Sequence, residues 1–599
     1  MQSVHGRYLH IDVGTGRTCF YDLPDHVHQQ YLGGIGLGTW LLYQWCPAGT
    51  EPFDPDAPLI FASSPFIGTG LTTASKLAVL ARSPQTGFIG DSLTSSYLAI
   101  SLKRAGFDAL VITGVCDPWS TLILNNEAPT VTPAESMLGC SPDEVSSRLR
   151  QELGAGFRIA SIGMGGENLV RFAGISNDGR LAGRTGLGAV MGSKRLKAIA
   201  IKGTGRLPTP AHPGELAAAA KTLSRRSLGP ETAKYRELGT AANLAFFNKM
   251  SVLPSRNFQD SRMDGLDALH GEALHATHQT DKNACAACTI GCEHHYALRN
   301  SGDNGKTVRL EYESLYALGP LCGVNDPDIV LQASRMCDDL TLDSISTGAT
   351  IAWAMECQDR GVDLGVPAPE IPSFGDGDAL LRTIEQIAHR EGIGDLLADG
   401  SRLAAEQTGQ GSQAWALHVK GLELPGYDPR KLPTLALGLA VATRGACHNR
   451  SSAYEVDLSD QLSVDAAIQA RVDAAIHAED QATILDSLTL CKFLRHCFDD
   501  LPKEAAQLFN LVSGTEMTGD ELLLSGSRIN ELKKRFNIEH GWTADDDWLP
   551  ARVLDYREDS LLNPDWLREA IQCYYASRGW NPDGTVPIDS GQSLPSRIL

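Results

Sequence analysis

Short apolar runs set the pattern of the first two hundred residues. YLHIDV, APLIFAS, KLAVLAR, DALVITG, TLILNN, FRIASIG, RFAGIS and LKAIAIKG are rich in Val, Ile and Leu and are separated by turn residues, so each predicts a strand. Few long helical patterns lie among them, and residues 1–206 read as a sheet-rich domain. The Pro-rich stretch LPTPAHPGE, Leu207–Glu215, breaks the pattern. Beyond it, ELAAAAKTLSRRSL, PDIVLQASRMCDDL, ALLRTIEQIAHREG and DAAIHAEDQATILDSL place apolar residues three and four apart, which predicts helices. With a second boundary near Ala414–Val419, the chain reads as an α+β protein. The sheet-rich N-terminal domain is followed by two mainly α-helical domains, 207–415 and 416–599. No solenoid period runs through it.

Composition narrows the function. The 599 residues carry a formal charge of −20, which disfavours nucleic-acid partners, since phosphate binding needs clustered Lys and Arg. The N-terminus MQSVHGRYLHIDVG shows no basic segment followed by an apolar run, so no secretory signal is expected. No apolar run reaches the length of a membrane span. A cytoplasmic protein with no membrane partner is the expectation, and its 14 cysteines then read as reduced thiols or metal ligands. Three glycine clusters, at Gly33–Gly38, Gly163–Gly166 and Gly183–Gly188, suggest nucleotide loops. None completes the dinucleotide or Walker pattern.

Two motifs carry chemistry. CAACTIGC sets Cys285, Cys288 and Cys292 at a spacing that lets three thiolates converge on one centre. A distant fourth thiolate would make a [4Fe–4S] site, whereas His294 or His295 would complete a zinc knuckle. Spacing alone leaves both open. The second motif is an echo: DDLTLD at Asp338–Asp343 and DSLTLC at Asp486–Cys491 share the form D-x-L-T-L-[DC]. Two helix ends could match by chance; alternatively two equivalent loops grip two halves of one ligand, and one of them ends in a thiol.

Together these motifs resemble the aldehyde:ferredoxin oxidoreductase family, in which two D-x-x-G-L-[DC] loops each hold one pterin. SPQTGFIG (Ser83–Gly90), GGENLVRFAGISNDG (Gly165–Gly179), GLGAVMGSKRLKAIA (Gly186–Ala200), LEYESLYALG (Leu310–Gly319), LELPGYDPR (Leu422–Arg430), TRGACH (Thr443–His448) and YYASRGW (Tyr574–Trp580) extend the resemblance over nearly the whole chain. It implies a tungsten (or molybdenum) bis-pyranopterin, one [4Fe–4S] cluster and a magnesium ion bridging the pterin phosphates. Cys285, Cys288, Cys292 and Cys491 would hold the cluster. Asp338, Leu342 and Asp343 would line one pterin, and Asp486 with Leu490 the other. Lys76, Arg180, Leu181, Gly183 and Arg184, with Arg444 and Arg450, would complete the cofactor contacts, and Glu313 and His448 would face the substrate. A carboxylate can accept two parallel bonds from a pterin edge, and a carboxylate with an imidazole can move protons at a carbonyl.

The reaction so implied is oxidation of a small aldehyde to a carboxylic acid, with electrons leaving singly to ferredoxin or a small iron–sulfur subunit. A reductive member acting on a carboxylate or aromatic acyl-CoA thioester is the alternative; a non-catalytic scaffold or metal-storage protein with a degenerate site is another. Departures from the family pattern matter. Thr341 and Thr489 stand where the family has Gly, so a different loop backbone is expected. Lys76 replaces Arg, and Leu93 replaces an Asn. Gln332 and Arg335 replace a Glu-x-x-His that holds a metal between subunits in some members, so any homodimer should lack that metal.

Overall fold

The computed structural model describes residues 1–299, 306–459, 461–463, 466–555 and 561–587. Its N-terminal region is built on two six-stranded mixed sheets. The first runs in the order Thr18–Asp22, Arg7–Asp12, Ala109–Thr113, Leu59–Ala62, Lys76–Arg82, Ile89–Ser95; the second in the order Arg180–Ala182, Ile175–Asn177, Arg158–Ser161, Leu196–Lys202, Ser120–Asn125, Ala128–Pro133.

The strand Lys76–Arg82 shows how the layers assemble. Successive side chains of a strand point to opposite faces. Leu77, Val79 and Ala81 join one core with Leu9, Ile11, Leu122, Leu124, Ile199 and Ile201, so the two sheets pack face to face. Ala78 and Leu80 face the other way, onto Leu37, Trp40 and Leu41 and onto Ile529, Leu532 and Phe536. Both faces are therefore buried, and KLAVLAR is almost continuously apolar for that reason. On the second sheet, Val145 and Leu149 of the capped helix Pro142–Leu153 cover Ile159, Ala198 and Ala200.

Few long helices occur in the N-terminal region; two reach 12 residues, Gly34–Trp45 and Pro142–Leu153. The first is buried on every side, so it carries no amphipathic period to read. RFAGIS is a strand only at its end, from Ile175; Ala173 and Gly174 instead pair with Leu342 and Thr341.

Beyond residue 206 the chain is mainly helical, with one exception that positions the site. Gln279–Asn283, Glu293–Ala297 and Thr307–Arg309 form an antiparallel sheet, and its first turn carries Cys285, Cys288 and Cys292. The long helices Pro327–Leu340, Ser344–Asp359, Ile468–Leu488 and Gly519–Glu539 supply most of the remaining framework. No helix among the described residues is long and apolar enough to cross a membrane.

Candidate active site

The two echo loops are equivalent in backbone as well as in sequence. Pro327–Leu340 ends in Thr341 at φ 57°, and Ile468–Leu488 ends in Thr489 at φ 61°, both left-handed. Leu342 N–H returns to Cys337 O at 2.8 Å, and Leu490 N–H to Leu485 O at 2.9 Å, the six-to-one closure of a helix end. Asp343 and Cys491 then occupy the N-cap of the following helical segment. The threonines thus keep the left-handed backbone that suits Gly, contrary to the expectation from sequence. Their hydroxyls offset the strain: Thr341 Oγ1 accepts from Gly163 N–H at 2.9 Å, and Thr489 Oγ1 bonds Ser64 Oγ at 3.1 Å.

Each loop rests on a glycine from the clusters that suggested nucleotide loops. A Cβ on Gly163 would lie 2.6 Å from Asp339 O, and one on Gly34 would lie 2.6 Å from Asp486 O. Both distances are impossible for a real contact, so these glycines serve close backbone approach. The sheet domain holds both loops in place, one against each cluster.

Between the loops and the sheet lies a cavity of about 380 Å³. Of the residues named from the sequence, Lys76, Arg180, Leu181, Gly183, Arg184, Asp338, Leu342, Asp343, Arg444, Arg450, Asp486, Glu313, His448, Cys285, Cys292 and Cys491 line it. Leu490 does not. Its side chain is fully buried among Phe66, Leu488 and Leu494, where burial contributes about 1.5–3 kcal/mol; its role is to fix the loop. Arg184 is also more committed to the protein than expected. Its guanidinium donates to Ala446 O and Glu423 O, both at 2.7 Å, and to Asp343 Oδ2 at 3.3 Å. Arg180 pairs with Glu293.

Other lining groups lack partners. Asp486 Oδ2 receives Arg450 Nη1 at 2.7 Å, but Asp486 Oδ1 and Arg444 Nε are buried with no hydrogen-bond partner among the described residues. Asp338 is pushed up to about 6 by burial against the pull of Arg309 and Arg335. Buried polar atoms are normally satisfied, so this donor and acceptor set fits a polar, anionic ligand with N–H edges. The floor is an ion cluster that the sequence did not reveal. Fully buried Asp91 receives Arg444 Nη1 at 2.9 Å, Arg450 Nε at 2.7 Å and Lys533 Nζ at 2.9 Å. Burial alone would raise its carboxyl, but Arg450, Lys533 and Arg444 hold it well below the usual range. Cys447, likewise missed, is buried beside Arg444 Nη2 at 2.8 Å. The partners of Asp91 lie hundreds of residues from it along the chain, and no local pattern joins them.

The cysteines converge at one edge. Burial first, then the nearby Cys491 and Cys285, push the Cys288 thiol up to about 11, and Cys292 rises for the same reasons with Glu311 added. Thr72 and Thr73 tie the two segments together. Thr73 N–H donates to Ala287 O at 2.6 Å, and Cys491 N–H donates to Thr73 Oγ1 at 3.0 Å. Four thiols so placed fit a cluster that takes them as thiolates. The histidines of the zinc alternative are engaged elsewhere, His294 through both ring nitrogens and His295 through Nε2. His294 meets Gln279 Oε1 at 2.9 Å and Tyr235 O at 3.4 Å, while His295 meets Glu293 Oε1 at 2.9 Å.

Glu313 and His448 face each other at 3.4 Å, Oε1 to Nδ1, and neither atom has a hydrogen-bond partner among the described residues. Gly426 N–H donates to the other Glu313 oxygen at 3.0 Å. Burial pushes the Glu313 carboxyl up to about 8. Burial, and then Lys492 and the nearby arginines, hold the His448 imidazole well below its usual range. At neutral pH the contact is therefore between two uncharged groups. The pair also lines a second, larger cavity of about 580 Å³ that shares Glu311, Asn449 and Phe493 with the first.

The class, an oxidoreductase family, is given by the sequence models of its domains. One family model, described as the N-terminal domain of aldehyde ferredoxin oxidoreductase, matches residues 8–203, and another, described as its domains 2 and 3, matches residues 217–594. The chain belongs to the aldehyde ferredoxin oxidoreductase family. It is 34% identical over 98% of both chains to the tungsten-containing aldehyde ferredoxin oxidoreductase of Pyrococcus furiosus, and 33% identical over the same share to that of Thermococcus kodakarensis. The WOR-like subunit of an aliphatic sulfonate oxidoreductase from P. furiosus is 28% identical over 76% of each chain. Among solved structures, the active-site complex of benzoyl-coenzyme A reductase with 1,5-dienoyl-CoA shares the fold, with a TM-score of 0.85, 23% identity and coverage of 98% of this chain and 96% of that one.

Proposed function

We propose that the protein oxidises aldehydes to carboxylic acids, RCHO + H2O giving RCOOH, two protons and two electrons. The observation that supports this reading best is the Glu313–His448 pair. Two uncharged side chains with unpartnered atoms stand where the ligand cavity meets a second pocket. Asp338 and Asp486 would accept N–H groups of a tungsten bis-pterin, with the Arg180–Arg184 segment beside its phosphates and Lys76 between pterin and cluster, and Cys285, Cys288, Cys292 and Cys491 would hold a [4Fe–4S] cluster. Bound there, tungsten supplies the two-electron oxidation of the carbonyl carbon, and the cluster carries the electrons singly to ferredoxin or a small iron–sulfur partner.

The chain's own residues govern protons and orientation. Glu313, protonated below about pH 8, donates to the carbonyl oxygen; once ionised it accepts a proton from water. Neutral His448 donates a second hydrogen bond to the substrate and fixes the Glu313 rotamer. The Gly426 N–H keeps the far carboxyl oxygen in place. Retention of these orphaned groups disfavours a mere scaffold, since an unpaired buried polar group costs about 1–3 kcal/mol and persists where a ligand satisfies it. Purified metal-loaded protein should reduce viologen on addition of aldehyde, two electrons per acid formed. Full tungsten and iron content without aldehyde-dependent reduction would exclude the proposal.

A further inference from the structure

The second cavity carries a set of aromatic rings among its polar lining residues. On one side Phe247, Tyr312 and Tyr427 form a mutual edge-to-face cluster, with centroid separations of 5.1, 5.1 and 5.7 Å and interplanar angles of 61–67°. Tyr427 continues this wall to Tyr454 at 4.8 Å and to the His448 ring at 4.8 Å. On the other side Tyr235 and Phe493 stack at 4.1 Å and 16°. Several of these rings are fixed by the fold: Tyr312 OH donates to Gly426 O, and Phe247 belongs to the main core. All six line the 580 Å³ space, and the Glu313–His448 pair stands at its inner end.

Aliphatic pockets are normally walled by Leu, Ile and Val, whose surfaces fit any apolar shape. Rings present a negative face and a positive edge, so they discriminate by geometry and favour another ring in offset or edge-on contact. Besides Glu313, the charged residues lining this space are Glu231, Lys234, Glu311, Glu455 and Arg495, and Glu311 accepts from Thr240 Oγ1 at 2.6 Å. Arg495 and His496 are both engaged by Glu455, and Lys234 lies over the Tyr235 ring at 4.8 Å. The inner end thus offers rings, a carboxyl and an imidazole. A flat ring bearing a carbonyl substituent fits that order: the ring lies between the aromatic walls, and the carbonyl reaches Glu313 and His448.

We propose that the substrate is a planar aromatic aldehyde, selected over saturated ones by this box. The inference rests on the aldehyde reading above, but it is testable without turnover. The metal-loaded protein is titrated calorimetrically with benzamide and with cyclohexanecarboxamide, which are both neutral and unreactive and differ in the planarity and π face of the ring. Aromatic pairing predicts that benzamide binds on the order of tenfold more tightly. Phe247→Leu should bring the two affinities within about threefold, as a wall of aliphatic character would. Phe493→Leu, on the opposite wall, gives the same reading should the first variant fold poorly. Equal affinity for the two amides, preference for the saturated ring, or binding of neither overturns the proposal. Preference for benzamide in a protein that oxidises no aldehyde would count against the proposed reaction alone.

Discussion

Glu313 is a carboxyl held neutral by its surroundings, and that has consequences for both rate and stability. Its folded-state pKa, raised from 4.5 to about 8, means the folded protein keeps a proton that the unfolded chain releases. Its contribution to stability is complete below pH 4.5 and is lost as pH rises through 8. Glu313→Gln removes this titration, so its stability relative to wild type in chemical denaturation should improve between pH 4.5 and pH 9, by up to about 5 kcal/mol. A difference independent of pH would show that Glu313 is not buried as described. Because the protonated carboxyl is the form that donates to the carbonyl oxygen, turnover should fall as pH rises through about 8. Glu313 and His448 were legible through the family resemblance, since a carboxylate on a helix and a lone histidine otherwise suggest a solvated face and a core residue. Asp91 was not legible, because its partners come from distant segments; Cys447, though only three residues from Arg444, was not legible because a cysteine standing singly reads as a core residue.

At the scale of elements, the echo loops were visible as sequence but their conformation was not. Thr341 and Thr489 keep a left-handed backbone because each hydroxyl finds a fixed partner across the sheet–helix boundary, an interaction that local propensity does not contain. Removing that hydroxyl while keeping a Cβ should be worse than removing both. Thr341→Ala leaves the Gly163 N–H buried and unpaired and should cost about 1–3 kcal/mol in chemical denaturation. Thr341→Gly, which also relieves roughly 1 kcal/mol of strain, should cost less. The opposite order would mean that strain, not the hydrogen bond, governs the loop. The second loop also carries Cys491, anchored through Thr73 to the three-cysteine turn. Cys491→Ala should bleach the iron–sulfur absorbance, whereas Cys573→Ala, on a distant helix face, should keep it. An intact spectrum in Cys491→Ala would shift suspicion to Cys497.

Across the whole molecule, the sheet-rich start and helical remainder followed from periodicity, because most strands lie between two buried layers and most helices have one solvent face. The helix Gly34–Trp45 escaped detection for the complementary reason that all its faces are buried. The absence of Glu-x-x-His also fits the packing. Arg335 pairs with Asp339 at 2.6 Å and with Asp143 at 3.1 Å, and guanidinium has no free lone pair for a metal. Purified protein should therefore contain four irons per chain and no fifth; additional iron lost on mutating residues around Gln332 would contradict this. The central claim is that the uncharged Glu313–His448 contact performs the proton chemistry beside the bound cofactor. Its most direct test is aldehyde-dependent viologen reduction per bound tungsten, compared between wild type and Glu313→Gln. Glu313→Gln keeps the shape and hydrogen bonding of the side chain but removes its acid–base capacity. Tungsten and iron should stay at wild-type levels while activity per tungsten falls ~10²–10⁴-fold. Near-normal activity per tungsten would contradict the account.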